Sequence, residues 1–552
     1  MTPPPDPAHD GHTPADLETA AAPPNGLLTA PSKPTPTHVR HFLASTLEIL
    51  KPEIFQRRRG PARRPGPTAY LDGLRGWAAF CVALMHLFVY THDWVELCYD
   101  APLLDGTRND SLLTLPIIRL PFTGGHFSVM LFFIISGYVV PRRLLVLLHE
   151  NRRTDFLDAV QSAVIRRPVR LFMPVILSTL CLWIIWHVFA IHTPWPPHKD
   201  TFMQEAWSWY YDILKFVYVW RPDRLLFTYY NIHSWTIPVE YRGSMTLIIW
   251  LLMTSSLNPR SRVWITVGVI WYLVFAAPGA MYATFFAGMV TAELDLLANP
   301  TPDTEKLAPP SAPPSKSTTT TNNLLTSLTP GPRRLNLLLH LLLLVGLWLA
   351  SIPSSDSMNK EAVLSTCPGW PTLSPLVPTT YEDGTPQTYR WFFLFFAAYF
   401  TLYSIKNIPW LRRLFETPPM LYLGRHSFSL YLVHGPLIGL FSERLFLLTG
   451  VKIPEGEKPQ IPDPKADPLA PLPPPKTDPL AYLANRWINS SLWPFGGAEG
   501  WPKGFEPNFW VCVLITLPVF LYVAEVGTRI FDAPSVKLAR WVDGRLRGGG
   551  RK

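Results

Sequence analysis

Apolar stretches long enough to cross a membrane recur along the whole chain, and nothing else in the sequence constrains its fold so strongly. A bilayer core about 30 Å thick takes about 20 helical residues. Ten segments meet or approach that length: 71–90, 127–146, 169–191, 235–254, 263–277, 279–297, 335–352, 391–405, 428–448 and 509–530. The fifth and sixth are short and joined tightly around Pro278. The aromatic stretch 206–220 is interrupted by Asp212 and Lys215 and suits a helix lying in the membrane interface. The expectation is an all-α, polytopic membrane helix bundle.

Composition agrees. Only 16% of the 552 residues are charged, against about 25% in soluble domains. The 60 prolines belong to open linkers between the apolar blocks. Residues 1–40 read as a disordered Pro-rich tail, 41–67 as an amphipathic and basic juxtamembrane segment, and 68–297 as spans one to six. A low-complexity linker (298–334) precedes spans seven to ten (335–530), with long loops at 353–390 and 450–508 and a basic tail at 531–552. Met1 is not followed by a signal-peptide pattern. The net charge of +9 comes from basic clusters beside apolar runs, so the lipid bilayer is the expected partner and nucleic acid is not. Five cysteines without CxxC spacing exclude a zinc ribbon and a disulfide scaffold.

Lysine and arginine bias sets the orientation. With 57–64 cytosolic, the inner segments hold 29 basic residues and the outer segments 14, much of the latter in long loops that count weakly. Both termini are then cytosolic. The sequons Asn109-Asp110-Ser111 and Asn489-Ser490-Ser491 fall outside, where glycosylation happens. Cys98 and Cys367 also fall outside, in the oxidising compartment. A disulfide between them and two free thiols both fit that placement.

Ionisable side chains at mid-membrane cost about 2.5–3.5 kcal/mol on insertion scales, so each needs a reason. Span one carries Arg75 and His86 on one helix face, about 16 Å apart along the axis. Such a pair suits a long ligand with phosphate at one end and a reacting group at the other. It also suits a snorkelling arginine and a packing histidine. Glu240, in Asn231-Ile232-His233-Ser234-Trp235-Thr236-Ile237-Pro238-Val239-Glu240, shifts the balance. Its depth, counted from the outer edge of span four, nearly matches that of His86, and a carboxylate beside an imidazole makes an acid/base pair. The alternative is an ion pair with Arg242. Ser136-Gly137 in span two suits close helix approach or ligand contact. Arg142, Arg143, Arg166, Arg167 and Arg170 serve topology, with one or two available as phosphate ligands. Tyr431 and His434 sit mid-helix in span nine, where ligand contact and core packing are both open.

Several strings together resemble the acyltransferase-3 family of ten-span membrane O-acyltransferases, in a fungal-type branch. They are Leu71-Asp72-Gly73-Leu74-Arg75-Gly76 with His86, Phe132-Phe133-x-x-Ser136-Gly137-Tyr138, Arg170-Leu171-Phe172-Met173-Pro174, Trp235-Thr236-Ile237-Pro238-Val239-Glu240, Phe286-x-Gly288-Met289 and Ser427-x-Ser429-x-Tyr431-Leu432-Val433-His434. They occur in the family's order over about residues 68–540. The chain departs from the common pattern at Met130, where an acidic residue is frequent, and at Asp532-Ala533-Pro534, which replaces Glu-x-Pro.

The resemblance implies transfer of an acyl group, acetyl foremost, from cytosolic acyl-CoA to a hydroxyl of a carbohydrate, lipid or secondary metabolite. His86 is the expected general base, or else a transient acyl carrier, with Glu240 orienting it. Arg75, helped by Arg142, Arg167 and Arg170, is expected to hold the phosphates. Ser136, Asn231, Trp235, Tyr431 and His434 are expected to position thioester or acceptor. Acyl-CoA enters as co-substrate, and no metal is expected, because no cluster shows ligand spacing along the chain. The setting is a multi-pass protein of the secretory pathway or plasma membrane. A proton-coupled transporter using the same buried residues is the rival, although the halves show no internal repeat. A catalytically dead scaffold is a third reading, against which stands the cost of the buried His and Glu.

Overall fold

The computed structural model describes residues 48–55, 66–103, 106–189, 199, 201–220, 226–298, 332–353, 366–381, 388–451 and 500–548. Ahead of Pro52 only residues 48–51 are described, 48–50 of them helical. Most of the expected amphipathic segment, the inner linker and the sequon at Asn489 therefore lie outside the described residues.

All ten expected spans are helical. They correspond to α1 (Ala69–Thr91), α2 (Gly125–His149), α3 (Arg153–Phe189), α5 (Thr236–Met253), α6 (Pro259–Trp271), α7 (Ala280–Ala298), α8 (Pro332–Ala350), α9 (Tyr389–Asn407), α11 (Pro418–Leu437) and α13 (Pro507–Gly527). Between them lie α4 (Phe202–Val217), α10 (Pro409–Phe415) and α12 (Glu443–Leu448), and α14 (Ala533–Leu546) follows. Among the described residues there is no strand, only the isolated bridges Pro102–Arg108 and Thr228–Asn231. Backbone groups in lipid must be satisfied within the segment, which a helix does and an open strand does not. Six helical stretches are long and apolar enough to cross a membrane, and a seventh counts if α9 and α10, bent by 100°, form one span. The chain is an all-α, multi-pass membrane protein.

Two helix crossings fix the bundle, and both use glycine for close approach. A Cβ on Gly76 would overlap the backbone of Leu423 and Gly424, and one on Gly424 would overlap the Asp72 carbonyl, so α1 and α11 touch main chain to main chain. A Cβ on Gly137 would strike the Phe285 carbonyl and one on Gly288 the Ile134 carbonyl, so α2 and α7 cross in the same way. The glycines of the Ser136-Gly137 and Phe286-x-Gly288 strings thus serve packing.

Three boundaries depart from expectation. Helix α3 starts at Arg153, not near 169, and Pro168 and Pro174 lie inside it. Helix α11 starts at Pro418, with proline in its first turn, and not at 428. The expected basic tail is largely the helix α14, which docks along the early part of α3 through Ser162–Asp543 (2.6 Å) and Arg547–Asp158 (2.8 Å). The stretch expected to lie in the interface is α4, opened by a capping box of Thr201 and Gln204, with Trp207, Tyr210 and Tyr211 exposed and Asp212 turned inward.

Beyond α1, the loop that follows is an ordered cap. Cys98 and Cys367 are disulfide-bonded, with Cα atoms 5.7 Å apart. Arg119, fully buried, donates to the carbonyls of Val95 and Glu96 at 3.2 and 2.8 Å. Asn109 is buried as well, and its amide donates to the carbonyls of Trp94 and Cys98 at 3.2 and 3.1 Å. The asparagine of that sequon is structural, its amide nitrogen already engaged inside the folded loop.

Candidate active site

The site grows from α1. His86 Nδ1 lies 2.8 Å from the carbonyl oxygen of Val82, one turn back. A carbonyl only accepts, so Nδ1 carries the proton, and Nε2 of the neutral ring presents a lone pair. On α11, His434 Nδ1 meets the Leu430 carbonyl at 3.2 Å in the same manner. Ring centroids of His86 and His434 are 5.0 Å apart. A third imidazole, His233, stands 3.9 Å from His86 and 4.9 Å from His434. Nitrogen atoms of all three rings lie within 4.8 Å of one another.

His233 reaches this position because residues 232–235 form a 3₁₀ turn that is drawn into the bundle ahead of α5. Helix α11 pins the turn. Asn231 Nδ2 donates to the Leu432 carbonyl at 2.8 Å, and the Tyr431 hydroxyl donates to the carbonyl of His233. Thr236 in turn donates to the Tyr431 oxygen at 2.6 Å. Gly435 leaves the space that the His233 ring occupies, since a Cβ there would collide with it. An outer edge of span four at Trp235 puts His233 in the preceding loop, where the sequence gives it no role.

The same inward turn carries Glu240 away from its expected place beside His86. The level of His86 is matched instead by His233, and Glu240 lies seven residues, about 10 Å, further along. Its carboxylate accepts from Arg167 Nη2 at 2.5 Å and from the Ser136 hydroxyl at 2.6 Å. Arg167 Nε also donates to Ser244 at 2.5 Å. Nor is Arg242 the partner of Glu240. The group ties α2, α3 and α5 together, with Arg167 and Glu240 only 14% and 17% exposed.

The remaining arginines divide. Arg142 donates to the Tyr138 hydroxyl at 2.8 Å, which donates to Asp295 at 2.8 Å, and Lys406 closes on the same carboxylate. Arg142 and Arg167 are therefore committed to structural pairs. Arg75 and Arg170 are not enclosed in this way. Arg75, 39% exposed on its side chain, donates to Ser427 at 3.1 Å and lies 3.7 Å from Asp72. Arg170 is exposed, and Arg75 and Arg170 both act electrostatically on Asp532, the residue of the altered closing motif. Nearby, Glu53 takes Arg425 at 2.5 Å and His426 at 3.0 Å. Burial pushes the Glu53 carboxyl up, but the His426 hydrogen bond and the Arg425 charge outweigh it and hold the group below its ordinary value.

Two further residues went unnoticed in the sequence. The fully buried Arg390 reaches the ring of His126, at the start of α2, at 3.0 Å. Trp391 packs on His126 and on Trp235, with centroids 5.5 and 6.0 Å apart. No motif flags them, because His126 sits in a glycine-rich turn and Arg390 counts as a loop charge.

Residues 68–461 match the family model described as an acyltransferase domain. O-acetyltransferase PaAT-1 of Phomopsis amygdali is 29% identical over 421 residues, covering 72% of this chain and 78% of that protein. Acyltransferase clz18 of Cochliobolus lunatus is 25% identical over 69% of this chain and 84% of its own length. Acyltransferase R4 of a Phoma species is 26% identical, over 70% and 85% respectively. No solved structure matches. With the matched stretch taking in the histidines of α1, the turn and α11, the chain belongs to the acyltransferase-3 family and is a membrane O-acyltransferase.

Proposed function

We propose that the protein transfers an acyl group, acetyl foremost, from acyl-CoA to a hydroxyl of a carbohydrate, lipid or secondary metabolite, with His86 Nε2 as general base. One observation carries this reading: the Val82 carbonyl fixes the His86 tautomer and leaves Nε2 as the basic nitrogen, in a ring whose centroid lies 3.9 and 5.0 Å from those of His233 and His434. Nε2 takes the acceptor's hydroxyl proton as the oxygen attacks the thioester carbonyl carbon. The tetrahedral intermediate collapses, the C–S bond breaks, and the imidazolium returns the proton to the leaving thiolate. His233 and His434 confine the reacting groups, and Tyr431, Asn231 and Trp235 hold the turn and its surroundings in place. Arg75 and Arg170 receive the donor's phosphates at the other end of α1, about 16 Å from His86. Glu240 and Ser136 act as positioning residues through Arg167. Ten crossings, with both termini and the Arg75 end in the cytosol, complete the proposal, in a membrane of the secretory pathway or at the cell surface. The similarity to an O-acetyltransferase of Phomopsis amygdali supports acetyl as the group moved.

The test has two arms. Coenzyme A should raise the unfolding temperature of the purified full chain in detergent. A strain lacking the gene should lose one ester, whose mass names acyl group and acceptor. Indifference to coenzyme A together with an unchanged ester profile contradicts the proposal and favours a carrier.

A further inference from the structure

The three imidazoles at the centre of the bundle have a second chemistry open to them. They come from separate elements, His86 from α1, His233 from the turn before α5 and His434 from α11, and their ring nitrogens lie within 4.8 Å of one another. Two of them hold their Nδ1 protons against backbone carbonyls, Val82 for His86 and Leu430 for His434. Metal-bound histidines are oriented in just this way, the outer ring nitrogen donating to a carbonyl or carboxylate while the inner one ligates. His434 is fully buried, and its Nε2 finds no hydrogen-bond partner among the described residues. Burying a polar atom without a partner costs free energy, and a ligand that accepts its lone pair recovers it. The Asn231 Oδ1 atom is likewise buried and unpartnered beside the cluster, close to Gly435. A cavity lined by Tyr230, Asn231, His233 and Gly435 adjoins it.

We propose that His86, His233 and His434 form a binding site for a borderline divalent transition ion, zinc in chemistry, and that its occupation inhibits acyl transfer. Three neutral imidazole nitrogens with one open position suit zinc. Zn–N bonds of about 2.0–2.1 Å in tetrahedral array need nitrogens about 3.4 Å apart. The nitrogens, within 4.8 Å of one another, draw together by up to about 1.4 Å to reach that array. A metal held by His86 Nε2 uses the same lone pair that the proposed general base needs, so the two states exclude one another. The inhibitory half rests on the general-base reading. The binding half does not.

The experiment uses the full chain in detergent, stripped with chelator and titrated with Co²⁺. One ion per chain and the visible ligand-field band of four-coordinate cobalt are expected, with affinity reduced at least tenfold in His233→Gln and in His434→Gln. Zinc should displace the cobalt and suppress transfer, and chelator should restore it. Should a variant fail to fold, X-ray absorption on the zinc-loaded wild type decides: a shell of three imidazoles supports the site, and a sulfur or all-oxygen shell overturns it. Cobalt that does not bind, or binds unchanged in both variants, refutes the site while leaving His86-dependent transfer intact. Zinc that accelerates transfer overturns the inhibition. A His86→Ala enzyme of wild-type rate refutes the base, whatever cobalt does.

Discussion

At the scale of single residues, the partner of a buried charge decides what that charge is for. Glu240 faces Arg167 and Ser136, so its carboxylate neutralises a guanidinium that is only 14% exposed. Removing one member of such a pair strands the other, at a cost of about 3–5 kcal/mol, while replacing both with apolar groups is often close to neutral. Glu240→Leu is therefore expected to destabilise the protein by that amount, and Arg167→Met with Glu240→Leu to recover most of it, read by unfolding in detergent. Equal losses in the single and double variants would contradict the pairing. The sequence exposed the cost of Glu240 in lipid but not its partner, because depth along a span depends on an edge that Asn231 and His233 move inward. It marked His86 and His434 as costly imidazoles among Leu, Val and Phe, with ligand contact and core packing both open for each. His233 was hidden by its place among the loop residues just ahead of Trp235.

At the scale of elements, backbone contact through glycine sets the two crossings that aim the site. Helix α7 rests on α2 where Gly288 meets the Ile134 carbonyl. Gly288→Val forces the helices apart, and overpacking of this kind costs about 1–3 kcal/mol. A Cβ on Gly268, on α6, would meet nothing within 4 Å, so Gly268→Val serves as the control. The expectation is a clear loss of monodisperse folded protein on gel filtration for the first and none for the second; identical profiles would show that the crossing tolerates a side chain. Helix positions were legible from apolar run length. The forward extension of α3 and the helix α14 were not, because each is polar along much of its length and is stabilised by the other, through pairs such as Arg547 and Asp158.

At the scale of the whole molecule, the disulfide of Cys98 and Cys367 ties the loop after α1 to the loop before α9, across a separation of 269 residues. It spans the low-complexity linker that divides the chain, so it joins the half that carries His86 and His233 to the half that carries His434. Closing a loop in the unfolded chain typically stabilises by about 2–4 kcal/mol. Cys98→Ser, or reduction of the wild type, is expected to lower the unfolding temperature; an unchanged value would mean that the cap of Arg119 and Asn109 holds without it. The pairing of these halves is what brings three imidazoles together, and the chemistry assigned to them is tested most directly by one rate. Acyl transfer by the purified His86→Ala variant, compared with wild type at saturating acetyl-CoA, is predicted to fall by about 10²–10⁴-fold, with unfolding temperature and coenzyme A binding retained. Transfer by that variant at the wild-type rate would contradict the account.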